Sequence, residues 1–225
     1  MVPSFAKPAK LGQPLLWRRG QETLKMGQPP TLAIVAWIGP TWIGPGILYA
    51  QSKAIDGNKS SLKIRVFKSG AFSAFAHDHE IEAPIAEGKI DEGKIDSSAN
   101  ASVQLRVDAR KMRVLDPEIA PDKRAEIQQT MQSAKVLDVE HFPEISYQST
   151  TVTSKGNAHW EVHGTLSLHG KKEPVAVEVS LQDGHYRGSA SIKQSAFGIE
   201  PIRIAGGTVK VKDELKIEFD IVPAK

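Results

Sequence analysis

Cysteine is missing from all 225 residues, which excludes a disulfide framework, a thiolate zinc site and a catalytic thiol. A chain this long can build a core without bridges, so the redox compartment stays open. Basic runs are missing too, once the charges are located. The 29 lysines and arginines against 26 acidic residues give a net charge of +3, yet residues 1–53 hold Lys7, Lys10, Arg18, Arg19, Lys25 and Lys53 against Glu22 alone. With those six basic and one acidic side chain set aside, the remainder carries 23 basic and 25 acidic groups. A nucleic-acid-binding domain needs a basic stripe on its folded surface; none is visible, and no nucleic-acid partner is expected. Also missing are a Gly-x-Ser-x-Gly elbow, a His-Glu-x-x-His pair and a nucleotide fingerprint. Glu80, Glu82, Glu87, Asp91 and Glu92 lie among turns and wet faces, and nothing marks a matched general acid and base. No catalytic residue is assigned, and the enzyme class recedes.

Hydrophobic residues at 40% and charged residues at 24% rule out gross disorder and fit one domain plus an appendage. The appendage is N-terminal. Residues 26–52 contain no charge, residues 31–50 are mostly apolar, and five basic side chains precede them. A basic n-region followed by an apolar h-region is the layout of an export signal. Ala50 and Ser52, small residues on either side of Gln51, place the cut between them. An uncleaved anchor competes, because the run approaches the ~20 residues that span a bilayer. Gly39-Pro40 and Gly44-Pro45-Gly46 argue against it, since each proline removes a helical hydrogen bond. The expected organisation is a leader over 1–52, cleaved or membrane-anchoring, and one domain over 54–225 that is periplasmic or secreted.

After Ala54 the pattern has period two, the signature of half-buried strands. Leu62, Ile64 and Val66 alternate with Ser61, Lys63 and Arg65; Val103, Leu105 and Val107 alternate with Ser102, Gln104, Arg106 and Asp108; Val175, Val177, Val179 and Leu181 alternate with polar partners. Leu166 and Leu168, then Tyr186, Ala190 and Ile192, then Leu215, Ile217, Phe219 and Ile221 repeat the scheme. Turn chemistry falls at Asp91-Glu92-Gly93, Lys155-Gly156-Asn157, Asp183-Gly184 and Lys212-Asp213. Short alternating strands at hairpin spacing favour an all-β, antiparallel sandwich or closed barrel over a parallel sheet. One helix interrupts them, predicted over 121–135: Pro121 suits its first position, Asp122 complements the dipole, and Ile127, Met131 and Ala134 share a face. A single helix on a barrel is a lid or a plug.

The most suggestive polar cluster is His77-Asp78-His79. Residues i and i+2 of a strand point to one side, so the two imidazoles could converge on a metal if a third ligand joined them; none is apparent nearby, and no metal is assigned. Gly164 to Lys172 superficially resembles a phosphate loop, but five residues rather than four separate its glycines and its alternation makes it a strand. What remains is the interior. A barrel of about eight strands either packs solid or encloses one small ligand, and periodicity leaves that choice open.

Three segments settle it by resemblance. Asp138-Val-Glu-His141-Phe142-Pro143-Glu144-Ile145-Ser-Tyr147-Gln-Ser149, then Gly164-Thr-Leu-Ser-Leu-His169-Gly170-Lys171-Lys172-Glu-Pro174, then Ser191-Ile-Lys-Gln-Ser195-Ala-Phe197-Gly198-Ile199 resemble, in order and spacing, the YceI-like family of exported polyisoprenoid-binding proteins, over about residues 55–223. Taken as residues, all three are also hairpin hardware: Pro143 biases the preceding pair to extended geometry, and Gly170 and Gly198 permit turns. The resemblance implies a lipocalin-like antiparallel barrel of about eight strands whose apolar channel holds the tail of a long isoprenoid such as a quinone or polyprenol, with no covalent chemistry and no cofactor beyond that lipid. The sequence departs from the family pattern near its start, where Ser60 to Phe67 lack the single histidine many members carry. That leaves the head-group contact to His77 and His79.

Alternation then nominates the lining: Leu62, Ile64, Val66, Val103, Leu105, Val107, Ile145, Tyr147, Leu166, Leu168, Val177, Val179, Ile192, Phe197, Ile217 and Phe219, with Phe72, Phe75 and Met131 at the mouth, where adaptable side chains suit an irregular chain. Transient membrane contact is expected, and the wet outer face could support a homodimer. Two rival expectations stand beside the carrier: a metal- or haem-associated exported protein using His77 and His79, and a ligand-free structural barrel with a protein partner.

Overall fold

Residues 52–70, 77–93, 100–204, 206 and 208–224 are described by the computed structural model. The expected leader, apart from Ser52, and the mouth residues Phe72 and Phe75 lie outside them. Alternation becomes strand throughout. The described residues hold twelve strands: β1 (Ser52–Ala54), β2 (Ser61–Ser69), β3 (His79–Glu82), β4 (Ile85–Asp91), β5 (Ser102–Asp108), β6 (Arg113–Val114), β7 (Glu144–Gly156), β8 (His159–Leu168), β9 (Lys171–Gln182), β10 (His185–Lys193), β11 (Arg203–Ile204) and β12 (Val209–Ile221). All pair antiparallel, in the order β1-β4-β5-β7-β8-β9-β10-β12-β2-β3-β6, with β11 added beside β12.

The ring closes between its last strand and its first. Beyond β12 the chain pairs with the end of β1 through Ile55 and Pro223, with Ala224 N–H donating to Ala54 O at 2.7 Å and Asp56 N–H to Val222 O at 2.8 Å. Twelve segments rather than about eight arise because two long strands are broken and two two-residue strands are added. The Asp56 carbonyl accepts from the N–H groups of Lys59 and Ser60, a turn that divides β1 from β2. Pro84, which has no N–H to offer a ladder, divides β3 from β4. Joined across those breaks, the ring contains eight runs, each antiparallel to the next. Closure removes the unpaired edges that an open sheet would expose.

Tight turns follow the expected chemistry in part. Asp183 (φ 52°) and Gly184 (φ 80°) join β9 to β10, and His169 (φ 51°) and Gly170 (φ 72°) join β8 to β9. Lys212-Asp213, expected as a turn, instead lies inside β12 as a bulge between Val211 and Leu215. Ser195 explains it: its N–H and Oγ donate to the Asp213 carboxylate at 2.8 and 2.6 Å, which holds that extra length of strand against the neighbouring 3₁₀ turn.

The helix, α1, spans Pro121–Gln132 and stops short of residue 135. Ser133 ends it by turning extended (ψ 170°) while its Oγ donates to Thr130 O at 2.8 Å, a local bond that competes with helix propagation. Ala134 is consequently outside the helix and exposed, and Leu137 takes its expected place in the core beside Met131. The attachment of α1 is largely polar. Gln128 accepts from Val114 N–H and donates to Met112 O, both at 2.8 Å, and Gln132 donates to Arg110 O at 2.9 Å. These bonds tie the helix to the segment between β5 and β6, so it sits as a fixed plug over one end. The buried core gathers at that end, around Val107, Val114, Met131, Leu137, Leu168, Phe197 and Ile199.

Candidate ligand-binding site

Directly opposed residues of antiparallel strands share a face, so the register alone shows what the barrel encloses. On β2 and β12, Leu62 faces Phe219 and Ile64 faces Ile217; on β5 and β7, Leu105 faces Tyr147 and Val107 faces Ile145; on β8 and β9, Val162 faces Val177 and Trp160 faces Val179. These side chains point inward and bound a cavity of about 700 Å³, inside the range of about 300–1,000 Å³ usual for small-ligand pockets. It extends from Lys123, Glu126, Thr130 and Met131 beside the helix to Glu92, Ala101, Ser102 and Tyr186 at the far end.

Leu62, Ile64, Val66, Val103, Leu105, Val107, Met131, Ile145, Tyr147, Leu166, Leu168, Val177, Val179, Ile192, Ile217 and Phe219 all border this cavity. Phe197 does not. It lies in the 3₁₀ turn Gln194–Phe197, 1% exposed and packed in the solid core. The turn abandons the two-residue period, which is why alternation misplaced it; Gly198 (φ 77°) closes that turn in a left-handed conformation that side chains resist. Trp160, Val162, Val175, Tyr186 and Ala190 border the cavity without having been nominated as lining. Trp160 and Val162 continue the period of Leu166 and Leu168, and that signal was available.

Polar atoms in the wall are mostly engaged. Tyr147 Oη donates to the carbonyls of Val162 and Val175 at 3.2 and 3.4 Å, and burial pushes its phenol up to about 12. The ring lies so close to Gly164 that a Cβ there would sit 2.5 Å from it. Tyr186 Oη donates to Glu92 at 2.7 Å, and Lys53 reaches the same carboxylate at 2.7 Å, forming a polar clasp at the far end. Burial, then the Glu92 carboxylate, raises the Tyr186 phenol.

At the helix end the two histidines part. His77 is exposed, precedes β3 and does not border the cavity, so the expected convergence of His77 and His79 does not occur. His79 lies within β3, opposite the inward Val66, and borders the cavity. Its Nδ1 is 2.6 Å from Oδ2 of Asp116, a carboxylate 2% exposed whose Oδ1 accepts the Glu80 N–H at 2.8 Å. Asp116 was not nominated and carries no local signal, because 37 residues separate it from its partner. Among the described residues no group of three or more His, Asp or Glu side chains is placed to hold a metal ion.

The three motif segments meet at this same end. Phe142 packs edge-on against His169 with ring centroids 4.7 Å apart and lies over Gly170, while His169 Nδ1 is 3.3 Å from Phe197 O. They fasten the ends of β7, β8, β9 and β10 together, as hairpin hardware does.

An antiparallel barrel closed around an apolar cavity places the chain in the lipocalin-like class of folds. The YceI-like domain profile matches residues 54–222, and the chain belongs to that family. A UPF0312 protein of Vibrio cholerae is 27% identical over 130 residues, which cover 53% of this chain and 63% of that protein. A UPF0312 protein of Shewanella baltica is 25% identical over 197 residues, 84% of this chain and 88% of that one. The crystal structure of Burkholderia cenocepacia BcnA superposes with a TM-score of 0.59 at 20% identity, covering 76% of this chain and 99% of its own, a likeness of fold.

Proposed function

We propose that this protein carries or stores a long-chain isoprenoid lipid of the quinone or polyprenol type, its tail lying in the barrel, outside the cytoplasm. The observation that carries the reading is the wall of the 700 Å³ cavity. Aliphatic side chains dominate it from helix to far end, and both tyrosine hydroxyls are engaged by neighbouring oxygens. A surface of this kind offers a flexible hydrocarbon dispersion contacts and branch-fitting without asking for hydrogen bonds along its length.

Energetics bound the exchange. Burying a methylene from water is worth about 0.8 kcal/mol, so a tail of more than about five isoprene units referred to water would give a gross gain beyond any reasonable net affinity. The lipid comes from a bilayer, however, and passes from one apolar medium to another. Its net preference for the barrel is therefore small, and transient contact with a membrane is part of the proposal. Native mass spectrometry of the domain from about Gln51, purified without detergent, tests the reading. The expected result is an added mass that organic extraction identifies as an isoprenoid, or uptake of quinone or polyprenol on incubation. A mass that stays unliganded after incubation with both would overturn it.

A further inference from the structure

The cavity's wall is apolar except at a few points, and one of these is built to a pattern the carrier reading does not use. His79 projects from β3, opposite Val66 and two residues before Ile81, and all three border the cavity. Behind it stands Asp116, with each carboxylate oxygen assigned: Oδ2 to His79 Nδ1 at 2.6 Å and Oδ1 to the Glu80 N–H at 2.8 Å. The carboxylate is itself held in place, because its backbone carbonyl accepts from Arg124 Nη1 and from Ile119 N–H, both at 3.2 Å. An ionised carboxylate accepts hydrogen bonds and cannot donate one. Nδ1 therefore carries the ring proton, and in the neutral imidazole Nε2 is left with a lone pair. Nε2 has no hydrogen-bond partner among the described residues, and no fully enclosed side-chain nitrogen or oxygen there lacks one, so Nε2 is an accessible acceptor on a residue that borders the cavity.

Resting on the carrier reading, we propose that the His79–Asp116 pair selects the lipid by its head group, accepting a hydrogen bond from a hydroxyl at the helix end of the channel. The ligand class narrows to isoprenoid alcohols and hydroquinones. Quinones, ethers and esters present only acceptors, which would face the Nε2 lone pair and leave both groups unsatisfied in a low-dielectric wall. Orientation follows as well, with the hydroxyl beside α1 and the tail running toward Glu92 and Tyr186. Asp116 is a positioning residue here: it touches the histidine, not the ligand, and acts by choosing which ring nitrogen holds the proton.

Geranylgeraniol and its methyl ether, which share a tail and differ in whether the oxygen can donate, are the probes, titrated by calorimetry in mildly alkaline buffer. Wild-type protein should bind the alcohol about threefold to tenfold more tightly than the ether, the equivalent of one hydrogen bond. His79→Phe keeps an inward ring but has no acceptor, and should bind both probes equally. Asp116→Asn tests the tautomer. Its Oδ1 keeps the Glu80 N–H while its amide nitrogen replaces Oδ2 and donates to Nδ1, moving the ring proton to Nε2; the alcohol and the ether oxygens can both accept from that N–H, so the preference for the alcohol should disappear. Circular dichroism confirms that each variant is folded, and His79→Phe decides the matter should Asp116→Asn not fold. Equal affinities in the wild type, or a preference that survives His79→Phe, overturn the assignment while the carrier reading stands. Binding of neither probe overturns the carrier reading and this assignment together.

Discussion

Phe197 and Phe219 carry the same side chain into two different environments. Phe197, 1% exposed, is surrounded by core side chains; Phe219 is half-buried and faces the cavity. A phenyl group removed from a solid core leaves a hole lined by atoms that have lost their contacts, costing about 3–5 kcal/mol. Phe197→Ala should therefore lower the urea midpoint by that energy divided by the slope, with the slope itself unchanged, whereas Phe219→Ala enlarges an existing space and should cost clearly less. Equal losses would show that the channel wall is packed like the core. Parity along a strand is a local property, so the inward set from Leu62 to Phe219 could be read from residues alone. Phe197 could not, because a 3₁₀ turn rotates its side chain off that parity.

At the scale of elements, β12 and the 3₁₀ turn beside it hang on Asp213. Its carboxyl is held below the usual carboxylate range by the Ser195 hydroxyl first and the Ser195 N–H second, with burial opposing both. A depressed folded value means that the stabilisation is present above the unfolded carboxylate value of about 3.9 and is lost as pH falls through the lower folded one. Thermal melts of wild type and Asp213→Asn should thus differ at neutral pH and converge in acid; a constant difference across that range would rule out the carboxylate as the cause. The helix illustrates the limits of pattern differently. Pro121 marked its start, since a missing N–H costs nothing in the first turn, but Ser133 ended it through a side-chain bond to Thr130. What keeps α1 in place, the paired bonds of Gln128 to Met112 and Val114, depends on a segment that only the fold brings alongside.

For the molecule as a whole, the question is whether the space within the ring admits a chain. Leu105 stands on β5 opposite Tyr147, midway along the wall. Leu105→Trp should fill the channel without disturbing the ladder, because its backbone pairing is unchanged, and overpacking costs typically about 1–3 kcal/mol, which a barrel can survive. Loss of isoprenoid uptake by native mass spectrometry, with an unchanged circular dichroism spectrum, is the expected outcome. Undiminished uptake by the folded variant would remove Leu105 from the lipid's path.

The sequence by itself determined an all-β, antiparallel domain with one helix, most of its inward-facing residues and, through three motif segments, its family. Each of these depends on spacing within a few residues, or on short patterns that survive in one chain. Tertiary structure alone decided how the ring closes, through Ile55 and Pro223 at opposite ends of the domain, and that the enclosed volume is a cavity rather than a filled core. A packed interior and a lined channel use the same residue types, so only the distance across the ring distinguishes them. Tertiary structure also separated His77 from His79, where strand β3 begins only at the second of them, and it supplied Asp116 from 37 residues away. Hydrogen bonds between distant residues leave no period in the chain to be read.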